Sequence, residues 1–209
     1  MKMRVLLIDV CGEGAGVALC ADSEVIAEET LPERGASAEI VAAVRRLLKA
    51  AGWELSALDG VGVVSGPGSF TGVRTGVAAA KGLCEAAGIK LAAVSRLAIL
   101  AEGMSDGFAA LFAGRGDLYV REVLTGHEWL TSADTLREKT MGQPVRIAEE
   151  RVRELLHGSD TQMHALRVSN ALSLVLQGLD RGGVDPAMID ANYVRGESEI
   201  YRKPGGEKA

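Results

Sequence analysis

The sequence predicts an α/β protein of two lobes, the second reduced relative to the first, and three observations predict it. Short β-branched runs and two helical stretches alternate through the first hundred residues in the order β-β-β-α-β-α-β. A second series of strand signals starts near residue 100 and carries shorter helical stretches. The chain has 209 residues, 47% of them hydrophobic, which is enough for a core in one large or two small domains. The expected division is a first lobe over residues 1–100, a second over 101–195 and a polar tail over 196–209.

Val5-Leu6-Leu7-Ile8 is an apolar run of the kind a buried strand needs, and it closes on Asp9. Gly14-Ala15-Gly16 turns the chain, Val17 to Cys20 returns, and Ala21-Asp22-Ser23 turns it again before Val25-Ile26-Ala27. From Glu39 to Gly52 the period changes to helical. Ile40, Val41, Val44, Leu47, Leu48 and Ala51 form one face, and Arg45, Arg46 and Lys49 form the other. Gly60-Val61-Gly62-Val63-Val64 is a strand that runs into Ser65-Gly66-Pro67-Gly68, where glycine and proline stop regular structure. Ser69 or Thr71 can then accept from the free N–H groups of a new helix, which runs to a glycine cap at Gly88 and a further strand ending at Val94-Ser95.

Glycines 72 and 76 lie inside that second helix, each at a cost of about 1 kcal/mol relative to alanine. Gly72, Gly76, Ala80 and Cys84 recur at every fourth position, so one stripe of the helix is lined by small side chains. Such a stripe lets another backbone approach closely. Spacing alone leaves open whether that neighbour belongs to this chain or to a partner subunit.

In the second lobe, Phe108 to Ala113, Leu118 to Leu124 and Glu128 to Leu130 read as three strands. Ser132 can cap a helix through Lys139, Val145-Arg146-Ile147 is a short strand, and Ala165 to Leu179 reads as a helix capped at Gly182-Gly183. The segment after Arg195 is polar and glycine-rich, with the composition of a disordered or partner-ordered tail.

Composition restricts the function. A net charge of -5 and 4% aromatic residues do not provide the basic face and stacking platforms of a nucleic-acid binder. Cys11, Cys20 and Cys84 form no CxxC pair and lie in apolar runs, as small buried thiols do in a reducing cytosol. No positively charged leader precedes a long apolar stretch, and no run reaches the roughly 18 residues of a membrane span, so the expectation is a soluble cytoplasmic protein. His127, His157 and His164 do not have metal-ligand spacing, and neither Ser-His-Asp nor Cys-His sets can be assembled. The loop Gly66 to Ser69 precedes a helix as anion sites do, but it matches neither G-x-G-x-x-G nor a P-loop.

Ser65-Gly66-Pro67-Gly68-Ser69-Phe70-Thr71-Gly72-Val73-Arg74-Thr75-Gly76, followed by Ala80-Lys81-Gly82-Leu83 and Val94-Ser95, closely resembles the signature of the bacterial TsaB (YeaZ) family. Leu7-Ile8-Asp9, Gly114 to Tyr119 and Tyr193-Val194-Arg195 agree with it in order and spacing, so the resemblance covers residues 3 to 195. It implies an actin, sugar-kinase and Hsp70-like fold built on ribonuclease-H-like lobes. It also implies a non-catalytic role in synthesis of threonylcarbamoyladenosine at tRNA position 37. Members of that family pair with a catalytic paralogue, TsaD, the pair recruits an ATPase, TsaE, and tRNA is contacted only indirectly.

On this resemblance the partner-binding candidates are Gly72, Gly76, Ala80 and Cys84, with Phe70, Val73, Arg74 and Val77 beside them and Ile40, Val44 and Leu47 on the preceding helix. Arg45, Arg46, Lys49, Arg74 and Lys81 would form a basic rim, and the same surface could pair two copies of the chain. Kinases and ATPases of the fold use the carboxylate ending the first strand and the loop after it for metal and phosphate. The nucleotide candidates are therefore Asp9, Cys11, Gly12, Gly66, Gly68 and Ser69, with no bound cofactor expected beyond a nucleotide at an interface shared with partners. The family shows threonine and serine where this chain has Val10 and Cys11, and Asp9 also reads as a plain turn residue. The competing expectation is a small-molecule kinase or ATPase with Asp9 on the metal and Gly66 to Ser69 on phosphate. A glycoprotein peptidase, as distant relatives were once labelled, would need a ligand or nucleophile set that the sequence does not contain.

Overall fold

A computed structural model describes residues 2–32, 35–140, 142–192 and 194. The tail, Tyr193 and Arg195 lie outside the described residues. The first lobe is a five-stranded mixed sheet in the order β3-β2-β1-β4-β5, built from β1 (Arg4–Asp9), β2 (Gly16–Ala21), β3 (Glu24–Thr30), β4 (Gly60–Val64) and β5 (Lys90–Val94). β1, β2 and β3 form an antiparallel meander, while β4 and β5 join β1 in parallel, each after a helical crossover. Those helices are α1 (Ala36–Ala51) and α2 (Phe70–Ala87), packed side by side on one face of the sheet. α1 begins three residues before the sequence reading placed it, and Gly52 caps it in the left-handed conformation.

The second lobe repeats this plan. β6 (Phe108–Gly114), β7 (Asp117–Glu122) and β8 (Glu128–Ser132) form the meander, and β9 (Val145–Ile147) and β10 (Thr161–Met163) extend it in parallel, in the order β10-β9-β6-β7-β8. α4 (Ala133–Thr140) and α5 (Glu150–Leu155) stand where α1 and α2 stand in the first lobe. Among the described residues, α3 (Arg96–Ala101) and α6 (Leu172–Asp180) are the remaining helices apart from short 3-10 turns.

α3 follows the last strand of the first lobe but packs on β6 and β7 of the second, whereas α6 follows the last strand of the second lobe but packs on β4 and β5 of the first. Gly60 and Gly62 lie on the same face of β4. A Cβ on either would meet the side chain of Leu179 or Val175 at 2.7 and 2.4 Å, so the bare strand forms the bed for α6. Residues 166–191 consequently share the first lobe's core with Val5, Leu7 and Val63, although the sequence division places them with the second lobe. Strand alternation divides the second sheet in the same way. Ala109 and Leu111 face the main core, while Phe108 and Ala110 join a smaller one with Leu136, Ile147 and Val152.

The expected helix over residues 165–179 starts only at Leu172. Asn170 Oδ1 accepts from the Arg167 backbone N–H at 2.7 Å, a 3-10 turn occupies Val168–Ala171, and the Leu166 carbonyl passes directly over Gly14. Among the described residues no helix is long and apolar enough to cross a membrane.

Candidate functional site

α2 starts where the sequence predicts. Ser69 is its N-cap, with Oγ accepting from the Gly72 N–H at 3.4 Å, and Gly88 ends it in the left-handed conformation. The small-residue stripe faces inward. Gly72, Val73, Gly76, Val77, Ala80 and Cys84 are all buried against the chain's own sheet. A Cβ on Gly72 would stand 2.0 Å from the Val10 carbonyl oxygen, and one on Gly68 would stand 2.2 Å from that of Cys11. The Ser69 N–H donates to the Cys11 carbonyl at 2.7 Å. The glycines thus let the start of α2 lie flat on the loop that leaves β1. Of the two neighbours the spacing left open, the one in this chain is the one found.

The partner-binding assignment of these residues is corrected accordingly. Gly72, Gly76, Ala80, Cys84, Val73 and Val77 are core, and so are Ile40 and Leu47, which α1 turns onto the sheet; Val44 is buried but also lines a groove on the outer face. Phe70 and Arg74 remain outside. Phe70 is 38% exposed, and the Arg74 guanidinium lies 4.1 Å from its ring centroid. Val41, read as part of the buried face, is 54% exposed instead. It borders a groove of about 500 Å³ lined by Val41, Leu48, Trp53, Leu55 and Leu83, with Arg45, Arg46 and Lys49 along its edge. Thr71, Arg74, Ala78, Gly82 and Glu85 form the outward face of α2, and a Cβ at Gly82 would meet nothing within 4 Å.

The nucleotide candidates do come together, and those with polar side chains or thiols, Asp9, Cys11 and Ser69, are already hydrogen-bonded within the chain. Asp9 is 3% exposed; one carboxylate oxygen accepts from the Cys11 N–H at 2.8 Å in a local turn, and the other lies 4.0 Å from Arg96 Nε. Cys11 donates its thiol to the Val64 carbonyl at 3.2 Å. Burial, with the Asp9 carboxylate adding to it, pushes that thiol well above its ordinary range. Burial likewise pushes Cys20 up to about 12 and Cys84 up to about 11. All three cysteines are free and buried. A second cleft, of about 460 Å³, opens between Gly12, Gly35, Ser37, Ser69 and Thr71, at the starts of α1 and α2.

Two contributors went unread in the sequence. Arg96 is 2% exposed yet carries a guanidinium into the space between Asp9, Glu13 and Glu149; its signal was a lone arginine in the apolar run from Val94 to Ala101. Glu149, at the start of α5, turns inward and accepts from the Phe112 N–H at 2.8 Å. Burial raises its carboxyl above the usual range, against the lowering effects of that hydrogen bond and of Arg96. The histidines have other company: His127 stacks on Trp129, and His157 is bonded to Arg137. Among the described residues no group of three or more His, Cys, Asp or Glu side chains is placed to hold a metal ion.

Comparison with known proteins agrees with this arrangement. Residues 25–148 match the family model described as TsaD, tRNA N6-adenosine threonylcarbamoyltransferase. The tRNA threonylcarbamoyladenosine biosynthesis protein TsaB of Bacillus subtilis is 31% identical over 176 residues, covering 81% of this chain and 77% of that one. The protein of the same name from Escherichia coli is 36% identical over 126 residues, 57% of this chain and 54% of that one, so the match spans about half the E. coli protein. The solved structure of YeaZ from Pseudomonas aeruginosa superposes with a TM-score of 0.74 at 25% identity, over 91% of this chain and 99% of that one. The two repeated mixed sheets are those of the actin, sugar-kinase and Hsp70-like fold. On the B. subtilis match, which covers most of both chains, the chain belongs to the TsaB (YeaZ) family.

Proposed function

We propose that the chain is a non-catalytic subunit required for N6-threonylcarbamoyladenosine formation in tRNA. It pairs with a threonylcarbamoyltransferase paralogue of the TsaD kind, and the pair recruits an ATPase of the TsaE kind. The names of the relatives supply the pathway. The observation that carries the role is the outward face of α1 and α2, where Val41 is exposed at an apolar groove with a basic edge and Phe70 is exposed at the start of α2. An apolar centre with charged margins suits a protein partner, because the centre gains from desolvation and the rim selects by charge. In isolation the same face takes a second copy of the chain.

With 28 acidic against 23 basic residues, the chain leaves most of the tRNA contact to its partner. Depleting the protein in its host and digesting bulk tRNA to nucleosides tests the reading. Threonylcarbamoyladenosine should fall and return on complementation, and a modification level indifferent to the chain would refute it. The competing kinase or ATPase reading predicts micromolar Mg-ATP binding by the isolated chain that is lost in Asp9→Ala; the non-catalytic reading predicts no such heat in a calorimeter.

A further inference from the structure

Two consecutive residues at the exit of β5 each hold a glutamate of the other lobe. Ser95 caps α3, its Oγ accepting from the N–H groups of Leu97 and Ala98 at 3.2 and 3.4 Å, and donates to Glu128 Oε1 at 2.6 Å. Glu128 Oε2 accepts from Asn192 Nδ2 at 2.9 Å, and the Asn192 backbone N–H donates to the Ser65 carbonyl at 2.7 Å. Arg96 comes next. Its backbone N–H donates to the Gly66 carbonyl at 2.6 Å, and its side chain turns back between the lobes. Nη2 donates to the Glu13 carbonyl at 2.6 Å, Nη1 lies 3.7 Å from Glu149 Oε1, and Nε lies 4.0 Å from Asp9 Oδ2 without a hydrogen-bond partner. The guanidinium sits so close over the loop after β1 that a Cβ on Gly12 would stand 2.7 Å from Nη1.

We infer that Arg96 is a fixed internal cation that occupies the space between Asp9 and Glu149 and latches the two lobes together, so that the space beside Asp9 does not take the nucleotide and metal that other members of the fold hold there. The residues present do not fit those groups. Beside Asp9 the Cys11 N–H is spent on the carboxylate and the Glu13 carbonyl is turned to the guanidinium, so a phosphate there would have to displace the buried Arg96 side chain. A divalent cation needs carboxylates it can share with water, and both carboxylates here face a buried guanidinium that cannot lose its charge. The latch spans the lobes because Asp9 and Glu13 belong to the first and Glu149 to the second. A buried guanidinium deprived of one carboxylate is left under-compensated, so loss of either partner should loosen both.

Amide hydrogen exchange read by mass spectrometry on the full chain tests the latch, with Arg96→Ala and Glu149→Ala as the variants. Glu149→Ala is the informative one. It is expected to speed exchange at least tenfold over residues 10–15, in the opposite lobe, as well as at Phe112, and Arg96→Ala is expected to do the same. Exchange over residues 10–15 within twofold of the parent in Glu149→Ala would overturn the proposal, since a local role for Glu149 would move Phe112 alone. Calorimetry with manganese chloride alone, and with Mg-ATP, is expected to give no binding heat with the parent chain. Saturable binding of either that is lost in Asp9→Ala would equally overturn it.

Discussion

The two lobes have the same strand order and differ in their helices. In the first, α1 and α2 run 16 and 18 residues across the sheet; in the second, α4 and α5 have 8 and 6. The sheet fixes topology in both, so the difference lies in how much outward surface the helices carry. α1 and α2 are long enough to bury one face on the sheet and still present a groove and an apolar patch outside. α4 and α5 mainly cover a small core of which Leu136 and Val152 are part. The second lobe completes the fold, whereas the first leaves more helix surface on the outside.

The largest expected effect tests the inward face of α2. Gly72→Val puts three heavy atoms where even a Cβ is 2.0 Å from a backbone oxygen, and should cost about 3 kcal/mol or more. Loss of soluble protein, or a large drop in the denaturation midpoint, is the outcome to look for.

Leu136→Ala, in the small core of the second lobe, should cost about 2–5 kcal/mol. Because α3 and α6 are exchanged between the lobes, the loss should appear as one transition for probes in either lobe. Two separated transitions would show that the lobes are less coupled than the crossed helices imply.

On the outward face the sign reverses. Gly82→Ala meets open space and gains helix propensity, raising stability by about 1 kcal/mol, or about two to four degrees in Tm.

Chemical probing gives the smallest effect. With all three thiols buried and their pKa values raised, the native chain should react negligibly with a disulfide reagent at pH 8 and fully in denaturant. Reactivity in the native state should rise only as the pH approaches the values near 11 and 12 of Cys84 and Cys20.

The first lobe was legible in the sequence because its signals are local. Period-2 and period-3.6 runs, the Ser69 cap and the glycine caps at Gly52 and Gly88 each specify structure within a few residues. What the second lobe concealed is short or long-range. β10 has three residues and little apolar content, and nothing in the composition of α6 tells which sheet it lies on. The small-residue stripe was read correctly as a place of close approach, but spacing cannot name the approaching backbone, and the neighbour is the loop at Val10. Arg96, Glu128 and Glu149 are about 30 or more positions from their partners across the lobes, a separation no local pattern records.

The claim that the outward face of α1 and α2 is the docking surface is tested most directly by calorimetric titration of the chain with the threonylcarbamoyltransferase of its own host. The parent should bind, and Val41→Asp combined with Ala78→Arg should weaken binding at least a hundredfold without altering thermal unfolding. Undiminished affinity in that double variant, with the fold intact, would contradict the account.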